Sequence, residues 1–457
     1  MRNQGNSMTE GNMVKQILLF TIPLLLGNIL QQLYNTVDVA VVGRYVSSAA
    51  LAAVGSSSPI INILIGFYSG VATGASAVIA RYFGSGDREK MQRAVHTTLF
   101  LTILVGAFST VFGLVASPAI LRWMQTPEEV LEEAVIYLRI YFCGIGGVML
   151  YNMGSAILQA VGDSRRPLYF LCFTSAVHVG LDLIFVMAFR WGIAGVGWAT
   201  FLAQVASAVL VLWVIHRNQE LFGLHWRGIR YYKDLVGQVL SIGFPSGIQR
   251  SITSISNAMV QSYVNVFGTL MIAGYSAYLK VDVFLGLPMQ SLSLAIVTFV
   301  SQNIGAGKIE RAKKGVFVTA ALSTGITAAM CVVLWIFSEP VISLFSTDPA
   351  VVENGVRMMR LLLPFYVLLS LGQVYAGAMR GFGSAFITMV LMIGCYVVLR
   401  QVFLMAATHV FHSMDVILIN YPVTWFAAFA LIFLYYKFGK WENRLKKMEK
   451  SSDHLQD

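Results

Sequence analysis

Residues 16–42 read QILLFTIPLLLGNILQQLYNTVDVAVV, and Asp38 is the one charged side chain among them. The run is bounded by Lys15 and Arg44. An apolar helix of about 20 residues crosses a bilayer, so this stretch is long enough to span. Its apolar character is broken by Pro23 and by Gln31, Tyr34, Asn35 and Asp38. Gln31, Asn35 and Asp38 follow i, i+4, i+7 spacing and share one helical face. A polar stripe on an otherwise apolar helix is expected to face a cavity rather than lipid. No small-residue cleavage pattern follows a short apolar core here, so we expect an uncleaved first helix rather than a leader.

Outward from this run the same pattern recurs. Apolar stretches separated by short polar loops occupy 16–42, 50–80, 94–117, 133–160, 167–189 and 193–216, then 235–264, 271–302, 315–338, 354–379, 385–408 and 415–437. Of 457 residues, 57% are hydrophobic and 12% charged, against roughly a quarter charged in soluble domains. The expectation is an all-α integral membrane protein with about twelve transmembrane helices. The net charge of +10 does not imply nucleic acid, because no segment outside the runs is long enough for a basic domain. The basic residues sit in the loops and in the tail, where they meet anionic headgroups. With the N-terminus inside, the opposite loops carry only Arg44, Arg122 and Arg190. That bias predicts both termini in the cytoplasm. Cys143, Cys172, Cys331 and Cys395 lie in apolar runs without CxxC spacing and read as small buried hydrophobes.

The chain also repeats itself at a nearly constant offset. LLFTIPLLLG around Pro23 matches LSIGFPSGIQ around Pro245, and RYFGSGDREKMQRAV (81–95) matches QNIGAGKIERAKKGV (302–316). SPAILRWMQTPEEV (117–130) matches EPVISLFSTDPAVV (339–352), and QAVGD (159–163) matches RGFGS (380–384). Six runs separate the copies, so the halves enter the membrane in the same sense. This predicts two pseudo-symmetric six-helix lobes, a recurrent transporter architecture. The expected division is an N-terminal tail (1–15), a first lobe (16–216), a cytoplasmic linker (217–234), a second lobe (235–437) and a basic tail (438–457).

Several of these stretches resemble the multidrug and toxic compound extrusion (MATE) family. They are PLLLGNILQQLYNTVDVAVVGR in the first run, GSGDREK with its partner NIGAGK, ILQAVGDSRRP, and HVGLDLIFVMAFRWGIAGVGWAT in the fifth and sixth runs. FPSGIQ without an acid in the seventh run is closer to the prokaryotic DinF-like branch than to the NorM-like branch.

Of 22 acidic residues, only Asp38, Asp182 and Asp282 sit well inside the runs. A carboxylate inside the bilayer costs about 2.5–3.5 kcal/mol on insertion scales, so it usually lines a cavity and has a task. The topology puts Asp38, Asp182 and Thr200 in the same half of the first lobe. Two carboxylates sharing a low-dielectric pocket cannot both be bare anions cheaply, so a proton or a sodium ion should be held there. The resemblance implies the same residues. The family's coupling site uses the Asp of the first span, matched by Asp38, an Asn–x–x–x–Asp pair in the fifth, and a Thr in the sixth, matched by Thr200. Asp182 fits, but His178 stands where the family has Asn. A histidine titrates near neutrality, so the substitution favours proton coupling. If sodium were used, Asp38, Asp182 and Thr200 would be its ligands. Tyr137 matches a family Tyr beside the carboxylates and could complete the network. The resemblance also implies that Pro23 acts as a hinge.

For substrate, the candidates are Gln31, Tyr34, Asn35, Asn152 and Asp282. Asp282 has Lys280 two residues away, on a different helical side and so not an obvious ion pair; Asp282 contacts a cationic substrate or is neutralised by Lys280 or Arg400. Arg250 and Arg400 are read the same way. The chain holds 20 Met, 29 Phe and 19 Tyr, side chains suited to flat, often cationic solutes, although most such residues face lipid or pack. GxxxxGK[ST] is absent, as is any Ser/His/Asp set. We therefore expect no enzyme and no cofactor beyond the coupling ion. The expectation is a monomeric, ion-driven antiporter of a bacterial inner membrane, contacting lipid and exporting drug-like small molecules. The alternatives are a flippase for lipid-linked saccharides, which would want a broadly cationic cavity, and a non-transporting membrane scaffold or sensor.

Overall fold

The computed structural model describes residues 7–225 and 228–442. The tail beyond 442, residues 1–6 and two positions of the expected linker lie outside the described residues. Twelve long helical segments follow one another: α1 (Met13–Tyr45), α2 (Ser48–Ser85), α3 (Arg88–Trp123), α4 (Glu128–Ala160), α5 (Arg165–Ala188), α6 (Gly192–Arg217), α7 (Lys233–Val264), α8 (Thr269–Gly305), α9 (Ile309–Ile336), α10 (Pro349–Gly381), α11 (Ala385–Val410) and α12 (Met414–Phe438). Short helices at Gln219–Phe222 and Ser338–Ser343 sit between them.

Eleven of the twelve are apolar and long enough to cross a membrane. The exception, α7, has the length but carries Ser241, Ser246, Gln249, Arg250, Ser251, Thr253, Ser254, Ser256, Asn257 and Gln261 along one helix. The expected seventh span is therefore a helix whose polarity sets it apart from the rest.

The chain divides into two compact units. Among the described residues, one comprises Ser7 and Ile22–Gly243, and the other comprises Met8–Thr21 and 244–442. Both breaks fall just before a repeat-related proline, Pro23 in α1 and Pro245 in α7. The start of α1 thus belongs with the second unit and the start of α7 with the first. Six-helix blocks cut at the linker, as the sequence suggests, place these two helix starts on the other side. Proline lacks an amide proton and removes one i to i−4 hydrogen bond from a helix. Each crossing therefore coincides with a weakened rung in the helix.

The repeat is visible in loop geometry. Gly86 and its mate Gly307 have φ of +74° and +68°, and Gly162 and its mate Gly383 have +83° and +85°. A left-handed residue closing a helix favours glycine. In the first unit, Gly162 N donates to Gln159 O at 2.9 Å and Asp163 N to Leu158 O at 3.0 Å. In the second, Gly383 N donates to Arg380 O at 2.9 Å and Ser384 N to Met379 O at 2.8 Å. Asp87 then caps α3, accepting from Lys90 N at 2.9 Å.

Small residues let the helices approach closely, as in many membrane bundles. In the first unit, a Cβ on Gly147 or Gly154 of α4 would meet α6 at Gln204 or Val211, and one on Gly197 of α6 would meet Ile140. In the second, Gly377 and Gly381 of α10 lie against Ser293 and Val300 of α8. The four cysteines are free. Cys331 and Cys395 are buried as expected, whereas Cys172 is exposed on α5.

Gly113 of α3 shows how tight the contacts are: a Cβ there would come within 1.9 Å of the Phe142 ring, itself 1% exposed. Overpacking of this kind costs about 1–3 kcal/mol. Gly113→Ala should lower the melting temperature of the detergent-purified protein, whereas Gly55→Ala, with nothing within 4 Å, should leave it within error.

Candidate functional site

The first unit gathers its intramembrane acids at one point. Asp38 of α1, His178 and Asp182 of α5 present ligand atoms that all lie within 4.8 Å of one another. Asp182 is 0% and His178 1% exposed, and Asp38 is half-buried. The spacing of four residues stacks His178 and Asp182 on one face of α5, and Nδ1 of the ring comes to 3.2 Å from Oδ2 of the carboxyl. The α-helix gives way to a π-helical turn at Ile184–Ala188, directly after this pair. Such turns are frequent beside functional residues.

Thr200 of α6 fixes the imidazole. Its hydroxyl donates to Val196 O at 3.0 Å and lies 3.1 Å from His178 Nε2. A hydroxyl has one proton, so with that proton on Val196 the ring must donate from Nε2. The hydrogen-bond network thereby assigns the tautomer. In a neutral ring Nδ1 is then bare, facing the Asp182 carboxyl. A bare nitrogen and a carboxylate oxygen at that distance repel, so one proton belongs between them, on the ring or on the acid. Asp38 Oδ1, both Asp182 carboxyl oxygens and His178 Nδ1 are buried without a well-formed hydrogen bond. Buried polar atoms left this way are costly. The site as built is rich in acceptors and short of positive charge.

Aromatic side chains enclose it. Tyr34 packs edge-on to the His178 ring with centroids 4.7 Å apart. Tyr137 of α4, 5% exposed, is close enough to feel the charges of both Asp38 and Asp182. Tyr141, one turn further along α4, is close to Tyr34 and Tyr137. The sequence reading passed over it, although its i+4 spacing from Tyr137 was available as a signal. The other expected substrate residues are placed differently. Gln31 and Asn35 are exposed, and Asn35 donates to Gln32 Oε1 at 3.3 Å. Asn152 donates to Val148 O of its own helix at 2.8 Å.

Asp282 belongs to the other unit, within a tyrosine cluster. Tyr366 donates to its Oδ1, as does Tyr278 at 3.5 Å. The two phenol oxygens are 2.7 Å apart. Lys280 lies over the Phe345 ring instead. Arg400, 3% exposed, donates to Asn257 Oδ1 at 2.6 Å and sits 5.0 Å over the Tyr421 ring. Its charge reaches Asp282 without a direct ion pair among the described residues. The acid is thus held by hydroxyls, with a guanidinium behind them.

Fold and site together define a polytopic helical membrane protein with a carboxylate–imidazole centre in one of two repeated units. The MatE family model matches residues 23–184 and 245–405, so the chain belongs to the MATE family, as its motifs imply. It is 28% identical over 433 residues to the probable multidrug resistance protein YoeA of Bacillus subtilis (strain 168), covering 93% of each chain. It is 29% identical over 438 residues to the probable multidrug resistance protein YpnP of the same organism, covering 95% of this chain and 97% of that one. A solved outward-facing conformation of a multidrug resistance MATE family transporter of the MOP superfamily shares the fold. Its TM-score is 0.89 at 22% identity, over 98% of this chain and 100% of that one.

Thr200→Val should strand the buried Nε2 donor of His178 and cost about 1–3 kcal/mol, read as a lower melting temperature. Thr200→Ser keeps the acceptor and should melt near the wild type. Equal melting of all three proteins would remove Thr200 from this role.

Proposed function

We propose that the chain exports organic, often cationic or aromatic solutes in exchange for protons, by alternating access in a bacterial inner membrane. The observation that carries this is the convergence of Asp38, Asp182 and a His178 ring whose Nδ1 faces a carboxyl. The names of the relatives, multidrug resistance proteins, support the substrate class. With the basic loops inside, both termini are cytoplasmic and the chain works as a monomer among lipids.

In this reading Asp38 and the His178–Asp182 pair share the coupling proton. Thr200 holds the imidazole in the Nε2-protonated tautomer, which leaves Nδ1 bare toward the acid, and Tyr34 and Tyr137 limit water around it. Gln31, Tyr34, Asn35, Asn152 and Asp282 are the candidate substrate contacts. Proton arrival neutralises the pocket and weakens its hold on a cationic solute. It biases the states only through its different affinity for them. Pro23 supplies the hinge, supported by the unit boundary beside it.

Sodium is the second reading, favoured by the two carboxylates. A hard cation wants oxygen ligands, as calcium and magnesium do. Asp38 and Asp182 fit, but Thr200 Oγ1 is already engaged with Val196 and His178, and an imidazole replaces an amide oxygen. The donor set therefore suits a proton better.

Dye export from proteoliposomes under separate pH and sodium gradients tests the proposal. A pH gradient should drive export, and a sodium gradient alone should not. Asp38→Asn and Asp182→Asn should each lower the rate at least tenfold; unchanged export by Asp38→Asn would end the coupling assignment. His178→Asn restores an amide oxygen, and should shift the drive from protons toward sodium in the same vesicles.

A further inference from the structure

The donor atoms of the carboxylate–imidazole centre stand close to the spacing of ligands around one metal ion. One atom each from Asp38, His178 and Asp182 lies within 4.8 Å of the others. His178 Nδ1 is 3.2 Å from Asp182 Oδ2. Two ligands bound at about 2.1 Å to a tetrahedral zinc ion lie about 3.4 Å apart. The imidazole and Asp182 are therefore already placed as neighbouring ligands. Asp38 is half-buried, and a closing movement of about 1 Å brings its carboxyl to the same spacing.

Two neighbouring acids alone are no metal site; the imidazole makes the difference. His178 is 1% exposed, and its Nδ1 faces Asp182 without a well-formed hydrogen bond. Thr200 gives its proton to Val196 O and so accepts from His178 Nε2 at 3.1 Å. A histidine that binds a metal through one nitrogen commonly donates from the other, which fixes the ring. This ring is set in that way, with Nε2 protonated and held and Nδ1 bare. Among the described residues no Lys or Arg forms an ion pair with Asp38, and Asp182 pairs with His178. Charge and ligand type then select the ion. Two carboxylates and a neutral imidazole carry two negative charges, which a dication cancels and a single proton does not. Calcium and magnesium take oxygen ligands, so the engagement of Thr200 and the presence of an imidazole disfavour them as they disfavour sodium. Imidazole suits zinc, copper, iron and nickel. Three protein ligands leave the fourth position of a tetrahedral ion to water, and the half-buried Asp38 marks the side from which the ion enters.

We propose that Asp38, His178 and Asp182 bind a zinc-type divalent cation, and that this ion arrests export by taking the place of the coupling proton. The metal site stands on the geometry of the three side chains. The arrest rests on the proton reading given above. His178 decides the class of ion, because an amide oxygen at its position would return the site to hard cations.

The test uses the full chain, free of any histidine tag, in an uncharged detergent, with Zn2+ as the probe and calorimetry as the readout. The wild type should bind one Zn2+ per chain, and excess Mg2+ should not displace it. His178→Asn keeps both acids and should weaken binding at least tenfold, as should Asp182→Asn. If either variant does not fold, Asp38→Asn takes its place. His96→Gln should bind as the wild type does; it removes the neighbour of His225, whose backbone N lies 3.3 Å from His96 Nε2. In proteoliposomes under a pH gradient, Zn2+ should slow wild-type dye export at least tenfold. The metal site is ruled out if the wild type binds no Zn2+, if the triad variants bind it as the wild type does, or if only His96→Gln loses it. Binding with no slowing of export overturns the arrest. Zn2+ binding by a chain that shows no pH-driven export would remove the proton reading, and the arrest with it, and leave the metal site standing.

Discussion

The constraint on which the first unit depends is that a carboxyl, a second carboxyl and an imidazole have been taken out of water together with too few protons among them. Desolvation makes every bare charge there expensive, and the 3.2 Å approach of His178 to Asp182 makes the two ends of that pair interdependent. The geometry is enforced from outside the triad. Thr200 uses its proton on Val196 and so dictates that the ring nitrogen facing it, Nε2, carries a proton. The close seating of α6 on α4 that Gly147, Gly154 and Gly197 allow holds Thr200 where it can do so. Three glycines with no chemistry of their own thus bear on the protonation of a histidine.

A binding event matters only if something can move in response. The helices that the chain shares between its units are α1 and α7, and each changes unit beside a proline. Asp38 lies on α1 beyond Pro23, so the helix that carries one acid of the site also lacks a backbone hydrogen bond beside the unit boundary. The π-helical turn after Asp182 is a second departure from regular helix, on the other strand of the same site. Charge and irregular backbone coincide on both helices, which is the arrangement a proton would need in order to bias a conformation.

Much of this was legible in the sequence because bilayers impose a coarse code. Long apolar runs locate helices, and a lone acid within one stands out. Asp38, Asp182, Thr200 and Tyr137 could be named because they match the family motif, and His178 because it stands where that motif has Asn; the structure brings these side chains together. Gln31 and Asn35 share the face of Asp38 in the helical pattern and are exposed; periodicity gives a direction and not a neighbour. The divided membership of α1 and α7 was illegible for a related reason. Hydropathy shows where a helix starts and stops, whereas packing partners decide which body each part joins. The run read as 354–379 stops one residue before Arg380, because a charge after an apolar run reads as its end, whereas the helix continues to Gly381.

The two halves share their glycine turns and differ in the charges inside their helices. Gly86 with Gly307 and Gly162 with Gly383 hold the same left-handed turns, so the backbone frame is common to both. Within that frame the first unit holds Asp38 and Asp182 inside its helices, while the second buries Arg380 and Arg400 and answers its intramembrane acid, Asp282, with phenol hydroxyls. A frame preserved by glycine turns tolerates such an exchange, because turn geometry is set locally and does not depend on what the helix interiors carry. What the interiors carry differs accordingly: carboxyl groups and an imidazole in the first, guanidinium groups and phenol hydroxyls around a carboxyl in the second.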